Sequence, residues 1–175
     1  LVEPVPYNIA LLKENTAKYK NINIETSAVS ENNEIKKFYY VKPDAVKRLG
    51  KHWASGIGSF NKQHILNHKY KRFMVTDIDI EEIDVQYLTF SNLMEKYSVS
   101  SIDLLQIDVE GAEFQILNSI NFEKIEIKKI IFEFKHFDGT FKEGPKLLEI
   151  KEKLTSSGYE IHNLDDENIL AKKII

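Results

Sequence analysis

Two acidic features in this chain have residue types and settings suited to chemistry. The first is Val2-Glu3-Pro4. Leu1 to Glu3 reads as the end of a β-strand, which Pro4 and Pro6 then break. In an open α/β sheet, a carboxylate at the carboxyl end of a strand faces the crevice where such folds bind ligands. It can accept hydrogen bonds from both hydroxyls of a ribose, which makes Glu3 a candidate nucleoside reader. The plainer alternative is a solvated Glu ahead of a turn-forming Pro.

The second feature is Gln106-Ile107-Asp108-Val109-Glu110-Gly111-Ala112-Glu113. Ile102 to Asp108 is the clearest buried strand in the sequence, and it runs straight into Asp108 before an expected helix over Glu110 to Asn118. Backbone N–H groups at a helix start favour negative charge. Asp108 and Glu110 therefore sit where a ligand would be reached, and Gly111 and Ala112 permit close approach. The alternative is that both acids only cap the helix. His136 follows another buried strand, Lys128 to Phe134. Its near-neutral titration makes it a third candidate general base beside Asp108 and Glu110; the alternative is a surface histidine in a loop.

Other residues point less sharply. His64 and His68 stand four apart, so on a helix they would share a face and could bind metal. No third ligand is apparent, and the run from Asn67 to Arg72 reads as a solvated basic stretch, so no metal site is expected. Lys47, Arg48, Lys51 and His52 would attract an anion or simply form a charged loop. Trp53 would stack on a sugar or adenine ring, or plug a lid onto the core.

The elements that must position these residues alternate between helical and strand patterns, which favours an α/β sheet with helices on its faces. A helix is expected over Tyr7 to Tyr19, a short strand over Asn23 to Val29, and a strand over Ile35 to Val41. Pro43 to His68 is the least periodic stretch, with a flexible Ser55 to Ser59 segment. Phe73 to Leu88 suits one or two strands. Ser91 would cap a helix reaching Tyr97. Gly144-Pro145 opens a helix to about Ser157, stopped by Gly158. Tyr159 to Leu164 and Ile169 to Ile174 read as a closing hairpin.

With 175 residues, one domain is expected, spanning the whole length. The net charge of −3 gives no broad electrostatic reason to expect nucleic acid or an anionic membrane as partner. There is no cysteine, so disulfides, thiolate metal sites and a cysteine nucleophile are excluded; a reducing cytoplasm fits. No apolar run is long enough to span a bilayer, and the start lacks the regions of a signal peptide.

The two acidic features, in this order and context, resemble the FkbM methyltransferase family. Glu3-Pro4 matches the Glu-Pro at the end of that family's second strand. Asp108 to Glu113 matches its Asp-Val-Glu-Gly-Ala-Glu block at every position. Ser27-Ala28-Val29 is similar to its third strand, Gly58-Ser59 to its Ser-containing lid, and Phe132-Glu133 to the end of its fifth strand. The resemblance runs from Leu1 to about Phe137.

It implies an α/β, Rossmann-like class I methyltransferase fold using S-adenosyl-L-methionine. The sheet would be mainly parallel with a C-terminal antiparallel hairpin. Glu3, with Pro4 beside it, would hold the ribose hydroxyls; Ser27 and Ala28 would lie by the adenine; and Asp108 would sit near the methionine part and the transfer point. Trp53 and Ser59 would belong to a lid over Pro43 to Arg72 that selects the acceptor. The implied reaction is O-methylation of a sugar, glycan or other small-molecule hydroxyl.

Three departures stand out. Thr89-Phe90-Ser91 replaces a Thr-Leu-Asp run, Gln106 replaces a common Lys, and no Gly-x-Gly turn precedes Glu3. The fold would therefore lack its first strand and helix here, and residues upstream are expected to supply them. The rival readings are a non-catalytic remnant or binding domain that keeps the fold, and another nucleoside-binding α/β enzyme. The second rival explains Glu3 but not the Asp108 to Glu113 block.

Overall fold

A computed structural model describes residues 1–67, 74–109, 111–138 and 142–174, with 52 and 53 described by backbone alone. The chain divides into two compact units, Leu1–Ala28 with Asn32–Leu88, and Val29–Glu31 with Thr89–Ile175.

In the first unit, α1 (Pro6–Thr16) starts with Pro in its first turn, where the missing N–H costs nothing. It ends before the expected Tyr19. The Thr16 hydroxyl donates to Leu12 O at 2.6 Å, and the chain then turns. The strand expected over Asn23 to Val29 is two pieces. One is an isolated parallel bridge of Val2 with Glu25; the other is β1 (Ala28–Val29).

β2 (Glu34–Val41) follows, then α2 (Pro43–Leu49), a 3-10 turn over His52–Gly56, β3 (Gly58–Ser59), α3 (Lys62–Leu66) and β4 (Ile80–Leu88). The sheet order is β1-β4-β2-β3. β2 and β4 pair antiparallel from Glu34 opposite Tyr87 to Val41 opposite Ile80. Strand alternation sorts their side chains to two faces. Phe38, Tyr40, Val85 and Tyr87 cluster with Val5 and Ala28. Val41 and Ile80 cluster with Ala45, Ala54, Ile57, Ile65 and Val75.

The stretch read as irregular and flexible is therefore short regular pieces pinned by buried side chains. Gly50, at φ 63, stops α2 in a left-handed cap. The Asn61 side chain accepts from Gln63 N at 3.0 Å and starts α3. Each helix spans two turns or fewer, too short to show a helical period. Gly58 lies against the Phe38 ring, where an added Cβ would come within 2.6 Å. Ahead of β4, a 3-10 turn carries Asp79, whose buried carboxylate accepts from Thr76 N (2.9 Å) and Oγ (2.8 Å) and pairs with Arg48. Burial works against that charge, but these bonds outweigh it and hold the carboxyl below its usual range.

In the second unit, α4 (Phe90–Lys96) is capped by Thr89 and not by Ser91, with Asn92 N donating to Thr89 Oγ at 3.1 Å. The strand expected over Ile102 to Asp108 is β5 (Ser101–Ile102) and β6 (Leu105–Ile107). After α5 (Glu113–Ser119) comes β7 (Glu126–Ile127), ahead of the strand expected over Lys128 to Phe134, which is β8 (Lys129–Glu133). The register does not slip across the break. Ser101 faces Glu126, and Ile107 faces Phe132, both parallel and both 25 residues apart (126 − 101 and 132 − 107). α6 (Pro145–Ser156) then leads into the hairpin of β9 (Tyr159–Asn163) and β10 (Asn168–Lys173).

The main sheet of this unit runs β6-β8-β10-β9. Leu147, Ile150 and Leu154 lie three and four apart on α6 and bury one stripe with Phe132, Tyr159 and Ile169. Each such side chain contributes about 1.5–3 kcal/mol by leaving water.

The expectation of a mainly parallel sheet is corrected. Among the described residues, the parallel pairings are short, while the pairings of β2 with β4, and of β10 with β8 and with β9, are antiparallel and longer. Apolar runs reveal burial on both faces but not the direction of the neighbouring strand. No described helix is long and apolar enough to cross a membrane.

Candidate functional site

In the first unit, Glu3 follows the parallel bridge of Val2 with Glu25, fixed by Glu3 N donating to Glu25 O at 3.0 Å and Glu25 N to Leu1 O at 2.8 Å. Its Oε1 accepts from Val5 N at 2.8 Å. Burial raises the Glu3 carboxyl, while Val5 N–H and the Asn8 side chain hold it down. Nearby, Tyr7 OH donates to Val41 O (3.2 Å) and Ser55 O (3.3 Å), and Asn8 Nδ2 to Ser55 O (3.0 Å). Burial, then the Glu3 charge, then Tyr40 push the Tyr7 phenol up to about 12, so it remains a donor across the physiological range.

Pro4 is partly exposed, while Ser27 and Ala28 are buried. Ser27 Oγ has no hydrogen-bond partner among the described residues. Ser59 is buried, and its Oγ accepts from Asn61 N at 3.1 Å, which gives it a structural role at the α3 entry. The Trp53 side chain lies outside the described set, as do Glu110 and His68; His64 lies in α3.

In the second unit, the parallel pair β6 and β8 ends in acids. Asp108 follows β6 and is exposed; Glu133 is the last residue of β8 and is buried. Glu113, at the start of α5, is fully buried. It folds the turn after β6 around itself: Val109 N donates to Oε1 and Gly111 N to Oε2, both at 2.9 Å. Gly111 sits at φ 116, a conformation that side-chain-bearing residues rarely adopt. Burial raises the Glu113 carboxyl against these N–H groups, its own N–H and nearby His136.

Carboxylate oxygens of Asp108, Glu113 and Glu133 lie within 4.8 Å of one another, a spacing a divalent cation can bridge. Glu113, however, already serves two backbone donors, and Glu133 pairs through Oε1 with Lys135. Protein donors thus meet much of this charge, and no metal is assigned.

His136 is not a surface histidine; its side chain is 6% exposed. Its Nε2 lies 3.4 Å from Glu133 Oε2. Lys135 Nζ also reaches Glu167 Oε2 at 2.9 Å. Burial raises the Glu133 carboxyl, with Lys135 and His136 opposing and Asp108 adding to the rise. Burial also works against the Lys135 ammonium, but its bonds to Glu133 and Glu167 prevail and hold its pKa above the usual value.

A family model described as a methyltransferase FkbM domain matches residues 1–161. The chain belongs to the FkbM methyltransferase family. No curated protein and no solved structure matches it. For this FkbM-family chain, the second unit brings Asp108 together with Glu113 and Glu133, and places His136 against Glu133. Glu113, Glu133 and Lys135 were not singled out as site residues from sequence. The available signals were a charge inside the apolar Ile130-Ile131-Phe132-Glu133-Phe134 run, and a third acid closing the Asp108 to Glu113 block.

Proposed function

We propose that this FkbM-family protein is an S-adenosylmethionine-dependent O-methyltransferase acting on a sugar, glycan or other small-molecule hydroxyl. The observation that carries this reading is the acidic turn after β6, Asp108 to Glu113, beside the acid-tipped end of β8, in a chain whose family match runs across both units. That span also supports treating the chain as one catalytic domain of Rossmann-like descent.

Glu3 would receive the ribose hydroxyls of the donor, keeping its bond to Val5 N–H. Ser27 Oγ, a buried hydroxyl with no hydrogen-bond partner among the described residues, fits a polar edge of adenine, with Pro4 and Ala28 as apolar neighbours. Asp108 would face the methionine part, and Glu110 remains a candidate base. Ser59 and Trp53 would act with the Pro43 to Arg72 lid. The bound donor supplies an already electrophilic methyl carbon, so the protein's task is mainly positioning. His136 would take the proton of the acceptor hydroxyl, while the donor, when bound, would supply the methyl group and keep the electron pair of its carbon–sulfur bond.

Titration calorimetry with S-adenosylhomocysteine tests this proposal. A Kd of order micromolar is expected. No heat at millimolar ligand would favour the non-catalytic remnant.

A further inference from the structure

We infer that the open edge of β9 pairs this chain with a second copy of itself, strand against antiparallel strand, about a two-fold axis at Ile161. The inference is independent of the methyltransferase reading.

β9 ends the β6-β8-β10-β9 sheet. It has five residues, while the other edge strands among the described residues have two or three. A sheet edge presents unpaired N–H and C=O groups, which sequences shield with Pro, Lys or a bulge. Tyr159-Glu160-Ile161-His162-Asn163 carries no Pro and no Lys, and its register with β10 runs without a bulge. That register also decides which groups face outward. Leu164 N donates to Asn168 O and Ile174 N to Gly158 O, both at 2.9 Å. Bonding residues alternate along an antiparallel strand. Glu160 and His162 therefore bond to β10, and Tyr159, Ile161 and Asn163 turn their N–H and C=O groups to the open edge.

The side chains choose the register of the two copies. An axis at Glu160 would set carboxylate against carboxylate, and one at His162 would set imidazole against imidazole. The axis at Ile161 sets each Glu160 opposite the other copy's His162, and like charges directly opposite are the arrangement that strand pairs disfavour. It also matches every outward-facing residue, Ile161 with Ile161 and Tyr159 with Asn163. The Glu160 and His162 side chains share one face of the strand and are 64% and 38% exposed. Within one chain His162 Nε2 lies 3.2 Å from Glu160 Oε2 without a hydrogen bond, so neither is committed to the other. Lys172 lies opposite Glu160 on β10. On the other face Ile161 packs against the core of the second unit, so its pairing with the other copy's Ile161 continues that apolar layer. A two-fold contact of this kind closes on itself and leaves neither copy's β9 edge open.

Sedimentation velocity over a concentration series tests the inference. The wild type is expected to pass from one to two copies of the 20.3 kDa chain as its concentration rises through the micromolar range. His162→Glu sets acid against acid, and Glu160→Lys sets a cation against the imidazole. Each should weaken the dimer by about tenfold or more. Neither side chain belongs to the core, so both variants are expected to fold as the wild type does. Mixed together, they put the new lysine opposite the new glutamate, and the remaining Glu160 opposite the remaining His162, so a mixed dimer should form. Hydrogen exchange reads the register: dimerisation should slow the amides of Tyr159, Ile161 and Asn163 and leave those of Glu160 and His162 as they were. A wild type that stays single at about 100 μM, variants that dimerise as the wild type does, or a mixture that associates no more tightly than its parts would overturn the inference.

Discussion

His136→Ala is expected to lower kcat for methyl transfer by about 100-fold or more, while S-adenosylhomocysteine binds as in the wild type. The expectation comes from where the side chain lies. A general base needs hydrogen-bond reach to the acceptor and titration near the working pH, and an adjacent carboxylate favours its protonated form. His136 is nearly enclosed beside Glu133, and Lys135 holds that carboxylate from its other oxygen. Removing the imidazole leaves the donor-binding residues intact, so loss of rate without loss of affinity is the signature. Label transfer from a tritiated-methyl donor to a panel of sugars and small alcohols provides the acceptor and the assay. Full activity in the Ala variant would return the role of base to Asp108 or Glu110.

The second large effect falls on stability. Glu113→Ala is expected to cost about 2 kcal/mol, read from chemical denaturation. It strands the N–H groups of Val109 and Gly111 in partly buried bonds, and an unsatisfied donor costs about 1–3 kcal/mol when buried and less where water reaches it. Relief of a desolvated carboxylate offsets part of this loss. Glu113→Gln keeps one acceptor and should lose less. Its pH dependence carries a sign. Burial raises the Glu113 carboxyl above the ordinary 4.5, so the folded protein prefers the protonated acid. That contribution is fully present below the unfolded pKa and is lost as pH rises through the folded value. The Gln variant should therefore show a flatter stability profile across that window. A Glu113→Ala protein as stable as the wild type would mean the turn after β6 does not depend on this carboxylate.

Much of the frame was legible in the sequence, because α6, the closing hairpin and β2 each carry a full period or a clear stop signal. Gly158, at φ 80, ends α6 where its residue type predicted. The pieces between Pro43 and His68 were illegible for the opposite reason: their order comes from tertiary anchors such as Ile57 and Ile65. Strand direction was also hidden, since an apolar run buried on both faces fits parallel and antiparallel neighbours alike. At the site, the strand ends pointed to Asp108 and His136. The partners did not show, because Glu133 meets His136 through a backbone turn and Lys135 meets Glu167 through the β8–β10 pairing. Neither contact leaves a spacing signature in the chain.

Donor binding by Glu3 and donor binding by Asp108 are each testable singly. Calorimetric titration of S-adenosylhomocysteine into the wild type, Glu3→Gln and Asp108→Asn measures this directly. Both variants are expected to fold as the wild type does and to bind roughly tenfold or more weakly, as loss of a charged hydrogen-bond acceptor implies. Wild-type affinity in either variant would contradict donor binding by that residue.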